Sequence, residues 1–166
     1  MQHNGLRIIS GGQTGVDRAA LDVAAQLGIA RGGWCPKGRL AEDGALDVSY
    51  PLEETPSPAY EQRTMWNVRD ADATLIVTSG APLSGGTRYT KTLAEGLRKP
   101  HLVVTLDEQG SLAITAEWLR RHDVRVLNVA GPRESGQPGI YGAAYAYLHD
   151  LLQLWIAPME MQSNTD

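Results

Sequence analysis

One cysteine, three lysines and no phenylalanine are the scarcities of this 166-residue sequence. Cys35 alone cannot form an intrachain disulfide, which excludes a secreted domain stapled by bridges. His3, His101, His122 and His149 stand at no metal-ligand spacing and no Cys/His cluster exists, so no metal site is expected. A basic excess is missing too. Fifteen Lys and Arg against nineteen Asp and Glu leave a net charge of −4, which argues against a general nucleic-acid binder. A local basic pocket stays open, because net charge says nothing about one cleft. Apolar runs are short: none approaches the ~20 residues of a membrane helix, so no membrane partner is expected. Met1 to Gly5 is polar and Leu6–Ile9 is too brief for a secretory signal, which makes a cytoplasmic location the expectation.

What is present is enough for one packed domain. Hydrophobic residues make up 42% of the chain and charged residues 20%, a composition that disfavours disorder. At this length roughly 70% of the unfolded surface can be buried. Leu6–Ser10 reads as a strand entering the turn Gly11-Gly12, and Val16, Ala20, Val23, Ala24 and Leu27 recur at helical spacing up to Gly28, a C-terminal cap. A strand near Ile29–Cys35 is interrupted by Gly32-Gly33. Leu40–Pro58 carries five acids, no base and three prolines, and reads as a long acidic loop, either a binding lid or a solvated excursion. Further along, the pattern predicts a helix over Tyr60–Asp70, a buried strand over Ala73–Thr78 and a helix over about Thr87–Leu97. Strands at Leu102–Leu106 and Val124–Val129 flank a helix near Leu112–Arg121. A terminal helix, about Tyr141–Trp155, follows. Alternating strands and helices imply right-handed crossovers and a three-layer α/β/α domain with a mostly parallel sheet. That domain is expected to span residues 1–158, with 159–166 a frayed tail.

Ligands of such sheets bind beyond the carboxyl ends of the strands. Three small-residue loops fall there: Gly11-Gly12-Gln13-Thr14-Gly15, Ser84-Gly85-Gly86-Thr87 and Gly131-Pro132-Arg133-Glu134-Ser135. The first two run into helices, whose free amides and positive dipole end suit an anion. The first loop lacks the Gly-Lys-Ser/Thr of a P-loop and the Gly-x-Gly-x-x-Gly of a dinucleotide fold. Thr14-x-x-Asp17 serves either as a helix cap or as a ligand contact. Arg88 and Lys91 oppose the dipole of their helix, a cost that an anion at Gly85-Gly86 would offset. Lys37 and Arg39 beside Gly38 suit anion capture, or simple solvation. Arg63 and Asn67 share a helix face that either holds a ligand or faces solvent. Tyr141, Tyr145 and Tyr147 read as core or subunit interface, and Cys35 as a buried small hydrophobe. No catalytic residue is assigned.

Four stretches together carry a family likeness: Gly11–Asp22 (GGQTGVDRAALD), Gly33–Gly44 (GWCPKGRLAEDG), Tyr60–Asp72 with Thr74–Thr87 (YEQRTMWNVRDAD and TLIVTSGAPLSGGT), and Asn128–Tyr141 (NVAGPRESGQPGIY). The sequence resembles the molybdenum cofactor carrier family, in the Rossmann-like group that also holds the lysine-decarboxylase-like Lonely guy phosphoribohydrolases. The resemblance implies a homo-oligomer, dimer or tetramer, that binds a phosphorylated pterin or nucleotide-like ligand, with molybdenum cofactor (molybdopterin) as cargo. It marks Gly11, Gly12, Gln13, Thr14 and Gly15 as one phosphate-facing loop, and Ser84, Gly85, Gly86 and Thr87 as a second. Asp17, Lys37, Arg39, Arg63 and Asn67 complete the candidate binding set. The related hydrolases carry Pro-Gly-Gly-x-Gly-Thr-x-x-Glu; Thr90 stands at the glutamate's place here, and a hydroxyl is no carboxylate acid or base near neutral pH. A binding protein is therefore the preferred expectation. The alternatives are a nucleotide hydrolase drawing on Asp17, Glu42 or Asp43, and a nucleotide-sensing module.

Overall fold

The computed structural model describes residues 5–108 and 110–163, with 159–163 as helix backbone alone. In chain order the elements are β1 (Arg7–Ile9), α1 (Val16–Gln26), β2 (Ala30–Gly32), β3 (Trp34–Cys35), β4 (Leu40–Ala41), β5 (Gly44–Ala45) and β6 (Glu53–Glu54). Then come α2 (Tyr60–Asp70), β7 (Ala73–Thr78), α3 (Gly85–Gly96), β8 (His101–Thr105), α4 (Ser111–Arg121), β9 (Val126–Ala130) and α5 (Ile140–Ser163). Five strands form one parallel sheet in the order β2-β1-β9-β7-β8. The crossovers through α1 and α4 run one way across this sheet, those through α2 and α3 the other. Right-handed connections therefore put the two pairs on opposite faces. Contacts agree: α5 packs on α1 and α4, and α2 packs on α3. This is the expected Rossmann-like α/β arrangement. No described helix is long and apolar enough to cross a membrane.

The two faces differ in chemistry. Ala73, Leu75 and Val77 of β7 join Leu127 and Val129 of β9 in the main core beneath α1, α4 and α5. Alternate residues point the other way. There Thr74, Thr78 and Asn128 are buried, Asn128 Nδ2 donating to Thr74 Oγ1 at 3.3 Å, and α2 and α3 cover them with Thr64, Asn67, Thr87 and Thr90. The α2–α3 side is thus the polar side.

Three expectations are corrected. The strand near Ile29–Cys35 is split into β2 and β3 at Gly33, whose φ of +123° turns the chain, and β3 pairs with β6 instead of joining the main sheet. The acidic stretch is neither structureless nor simply solvated. Leu46 and Leu52 pack with Leu21 and Cys35 as a second small core, and β4–β5 form a short hairpin. Arg39 pins this excursion from within. Its guanidinium donates to the carbonyls of Leu46, Asp47, Tyr50 and Leu52 at 2.8–3.2 Å. Helix α5 also passes its expected end near Trp155. Pro158 has no N–H for the carbonyl of Leu154, four residues back, and Arg120 Nη2 donates to that carbonyl at 2.7 Å in its place. Buried Trp155 and Ile156 hold the preceding turn. Of the expected tail, 164–166 lie outside the described residues.

Candidate functional site

The carboxyl ends of β1, β9 and β7 lie side by side at the sheet's centre, next to the point where the crossovers change direction. A cleft of about 620 Å³ opens there, within the usual size for small-ligand sites. Its walls come from all three strand-end loops and from the start of α2, including Gln13, Asp17, Arg63, Ser84–Thr87 and Gly131–Arg133.

In the first glycine loop the amides of Gly12, Gln13 and Thr14 are spent within the chain. Gly12 N donates to Ser10 Oγ, Gln13 N to Asp17 Oδ2, Thr14 N to Gln13 Oε1, and Val16 N to the carbonyl of Pro132. The Thr14-x-x-Asp17 capping box does not form, since the N-cap is Gly15 and it makes no side-chain bond. Glycine is required here for close approach. A Cβ on Gly15 (φ +78°) would lie 2.3 Å from the Pro132 carbonyl, and one on Gly11 would lie 1.9 Å from Arg63 Nη1. The loop is packing that seats Arg63 and the third loop.

The second loop is the opposite. Helix α3 begins at Gly85, Ser84 makes no capping bond, and a Cβ on Gly85 or Gly86 would meet nothing within 4 Å. Its first turn contains no acid, so the positive end of the helix faces the cleft uncompensated. Thr90 Oγ1 donates to the Gly86 carbonyl at 2.9 Å and is only 4% exposed, a structural use of the position where related hydrolases carry glutamate.

Between these loops sits a buried ion pair. Arg63 Nη1 stands 3.3 Å from Asp17 Oδ2, while Arg63 Nε is buried without a partner. The guanidinium also lies over the Tyr60 ring, 5.4 Å from its centroid. Burial raises the Asp17 carboxyl above the usual range, against the opposing pull of Arg63 and the backbone amides.

Of the expected site residues, Gln13, Asp17, Arg63, Ser84, Gly85, Gly86 and Thr87 line the cleft. Gly11, Gly12, Thr14 and Gly15 support it. Lys37, Arg39 and Asn67 are elsewhere: Lys37 is exposed, Arg39 serves the acidic excursion, and Asn67 ties to the backbone of Trp34 through both its amide oxygen and nitrogen, at 2.9 Å. Tyr60, Tyr89, Arg133 and Gln137 also line the cleft and were not foreseen as ligand residues. Arg133 falls inside the third loop, a signal the sequence did offer. The tyrosines are set by helix phase after each loop, which spacing alone does not reveal.

Glu42 and Asp43, the acids considered for a hydrolase, are engaged outside the cleft. Glu42 binds the Ser135 amide and hydroxyl and the Thr14 hydroxyl; Asp43 pairs with Arg18. Those contacts hold both carboxyls below their usual range, through Ser135 first for Glu42 and through Arg18 for Asp43.

Comparison with known proteins agrees with this architecture. No curated protein matches. A solved structure does, that of the "Putative molybdenum carrier protein" from Syntrophus aciditrophicus SB, with 46% identity and a TM-score of 0.81 over 90% of this chain and 94% of that one. A family model, the Circularly permutated YpsA SLOG family, matches residues 8–152. The likeness carried by the glycine loops is thus one of family, and the chain belongs to the circularly permutated YpsA SLOG family.

Proposed function

We propose that the protein is a non-enzymatic carrier that holds a phosphorylated pterin or nucleotide-like molecule in the cleft, with molybdenum cofactor as cargo. The observation that carries this reading is the open N-terminus of α3. Gly85 and Gly86 leave its amides unobstructed, and across the cleft the Arg63 guanidinium lines the opposite wall. A phosphate group would answer both, by backbone amides on one side and guanidinium on the other. Tyr60 and Tyr89 give the remainder of such a ligand an aromatic wall. The name of the Syntrophus protein supports the cargo. This reading includes self-association through the α2–α3 layer and places the protein in the cytoplasm.

The test is native mass spectrometry of the purified protein, followed by identification of any molecule released on denaturation. A pterin bearing molybdenum is the expected product. A nucleotide in its place would overturn the cargo while keeping the cleft.

A hydrolase is the second reading, and one observation favours it: Asp17 is a buried cleft carboxyl with a raised pKa, the property of a general acid. Turnover of nucleoside monophosphates that Asp17→Asn abolishes is its expected signature. No turnover across a nucleotide panel removes it.

A further inference from the structure

The carboxylate of Glu42, at the tip of the β4–β5 hairpin, sits in a ring of donors from two strand-end loops. Ser135 gives its amide at 3.1 Å and its hydroxyl at 2.5 Å, Thr14 gives its hydroxyl, and Arg133 Nε stands 3.6 Å away. Thr14 Oγ1 is itself aimed by the amide of Glu134, which donates to it at 3.2 Å. Two hydroxyls, a backbone amide and a guanidinium are the donor set of an oxyanion site.

The surroundings repeat the pattern. Asp43 pairs with Arg18, whose Nη2 lies 3.1 Å from Oδ1, yet Arg18 Nε is buried with no partner. A cavity of about 700 Å³ adjoins both acids. Its two other acids are committed. Asp22 accepts the hydroxyls of Tyr50 and Tyr141 at 2.7 and 2.5 Å, and Glu134 accepts the amides of Gly139 and Tyr141 at the start of α5.

We propose that the groups around Glu42 form a second oxyanion subsite, separate from the cleft at α3, and that the Glu42 carboxylate is the chain's own occupant, displaced by a phosphate-type oxyanion. The exchange is one anion for another, so Arg133 keeps a counter-charge throughout, while Arg18 stays paired with Asp43. A ligand entering here lifts the hairpin tip from the loops after β1 and β9. The same loops wall the cleft, so occupancy of this subsite reaches the cleft through Gln13, whose Oε1 accepts the Glu42 amide at 2.8 Å, and through Arg133. The inference does not depend on what the cleft binds.

The experiment is a calorimetric titration with inorganic phosphate. Glu42→Ala is expected to bind phosphate about fivefold more tightly than the native chain. That gain is expected to disappear when Ser135→Ala is added and to persist when Gly86→Asp closes the α3 cleft. Equal affinity in Glu42→Ala and the native chain overturns the proposal. So does a gain that survives Ser135→Ala, because the phosphate is then not on these donors. A gain lost with Gly86→Asp also overturns it, by placing the phosphate in the cleft, and leaves the reading of the cleft intact. If Glu42→Ala does not fold, Glu42→Gln keeps the side chain's shape without its charge, and the same three comparisons apply.

Discussion

At the scale of single residues, identity and environment part company most clearly among the glycines and arginines. Gly86 and Gly131 look equivalent in the sequence, each in a small-residue loop after a strand. Gly131 has no room: a Cβ there would stand 2.4 Å from the Val77 carbonyl and 2.6 Å from Val16 Cγ2, whereas Gly86 meets nothing. Gly131→Ala should therefore cost about 1–3 kcal/mol by overpacking, measured by urea unfolding. Gly86→Asp should leave stability unchanged or raise it by up to ~1 kcal/mol, because an acid suits the first turn of a helix. The same change should abolish anion binding in the cleft, read by calorimetry. Ligand affinity that survives Gly86→Asp in a folded protein removes the cradle. Arg39 was legible as a cation beside Gly38 and illegible in its role, because four carbonyls converge on it only after the excursion has folded. Arg39→Ala should destabilise by about 2–4 kcal/mol, since hydrogen bonds to charged groups are worth more than neutral ones. Its ligand affinity should stay within about twofold of native, less than the tenfold that 1.4 kcal/mol represents.

At the scale of elements, the sequence was clearest where periodicity and burial agree. Helix α2 and strand β7 have the expected bounds, because β7 is a run of six buried residues and α2 lies between a proline-rich stretch and that strand. Residues 40–58 were not legible, since two-residue strands leave no periodic trace and their order comes from long-range bonds to Arg39, Thr14 and Ser135. Opposite pKa directions make this region testable by pH. Glu42 and Asp43 have lowered carboxyl pKa values, so their contribution is present above the reference values of 4.5 and 3.8 and lost as pH falls through the lower folded values. Both are surface pairs, and solvent screening keeps each below about 1 kcal/mol. Asp17 runs the other way. Its folded pKa is raised, so its contribution is present below 3.8 and lost as pH rises through the folded value. Denaturant midpoints from about pH 3 to 7 should show a shallower loss on the alkaline side in Asp17→Asn than in the native chain. An unchanged slope there would place the titration elsewhere.

At the scale of the whole molecule, the sheet's two faces explain why fold class was readable while the site was readable only in part. The apolar face follows from alternation along β7 and β9, and a doubly wound topology then fixes which strand ends meet. The polar face is set by where Thr64, Thr87 and Thr90 land relative to the sheet, and local pattern does not encode that. The layer over the polar face also leaves apolar surface uncovered: Tyr60 and Met65 on α2, Leu97 at the end of α3 and Val103 on β8 are 36–45% exposed. Exposed apolar side chains also stand on the opposite layer, Ile114 on α4 and Leu154 on α5, and the proposed self-association is assigned to the α2–α3 layer because that layer borders the cleft. The cleft wall includes Tyr60, so this face borders the ligand site. Sedimentation of the native chain should therefore give a species larger than 18.0 kDa. Met65→Lys should shift it towards the monomer without lowering the unfolding midpoint, because the Met65 side chain contributes little to the monomer's core. Ligand affinity in the dissociated variant then decides how the face relates to the site. A fall in affinity on dissociation assigns part of the cleft wall to the second copy, and an unchanged value leaves each cleft complete within one chain.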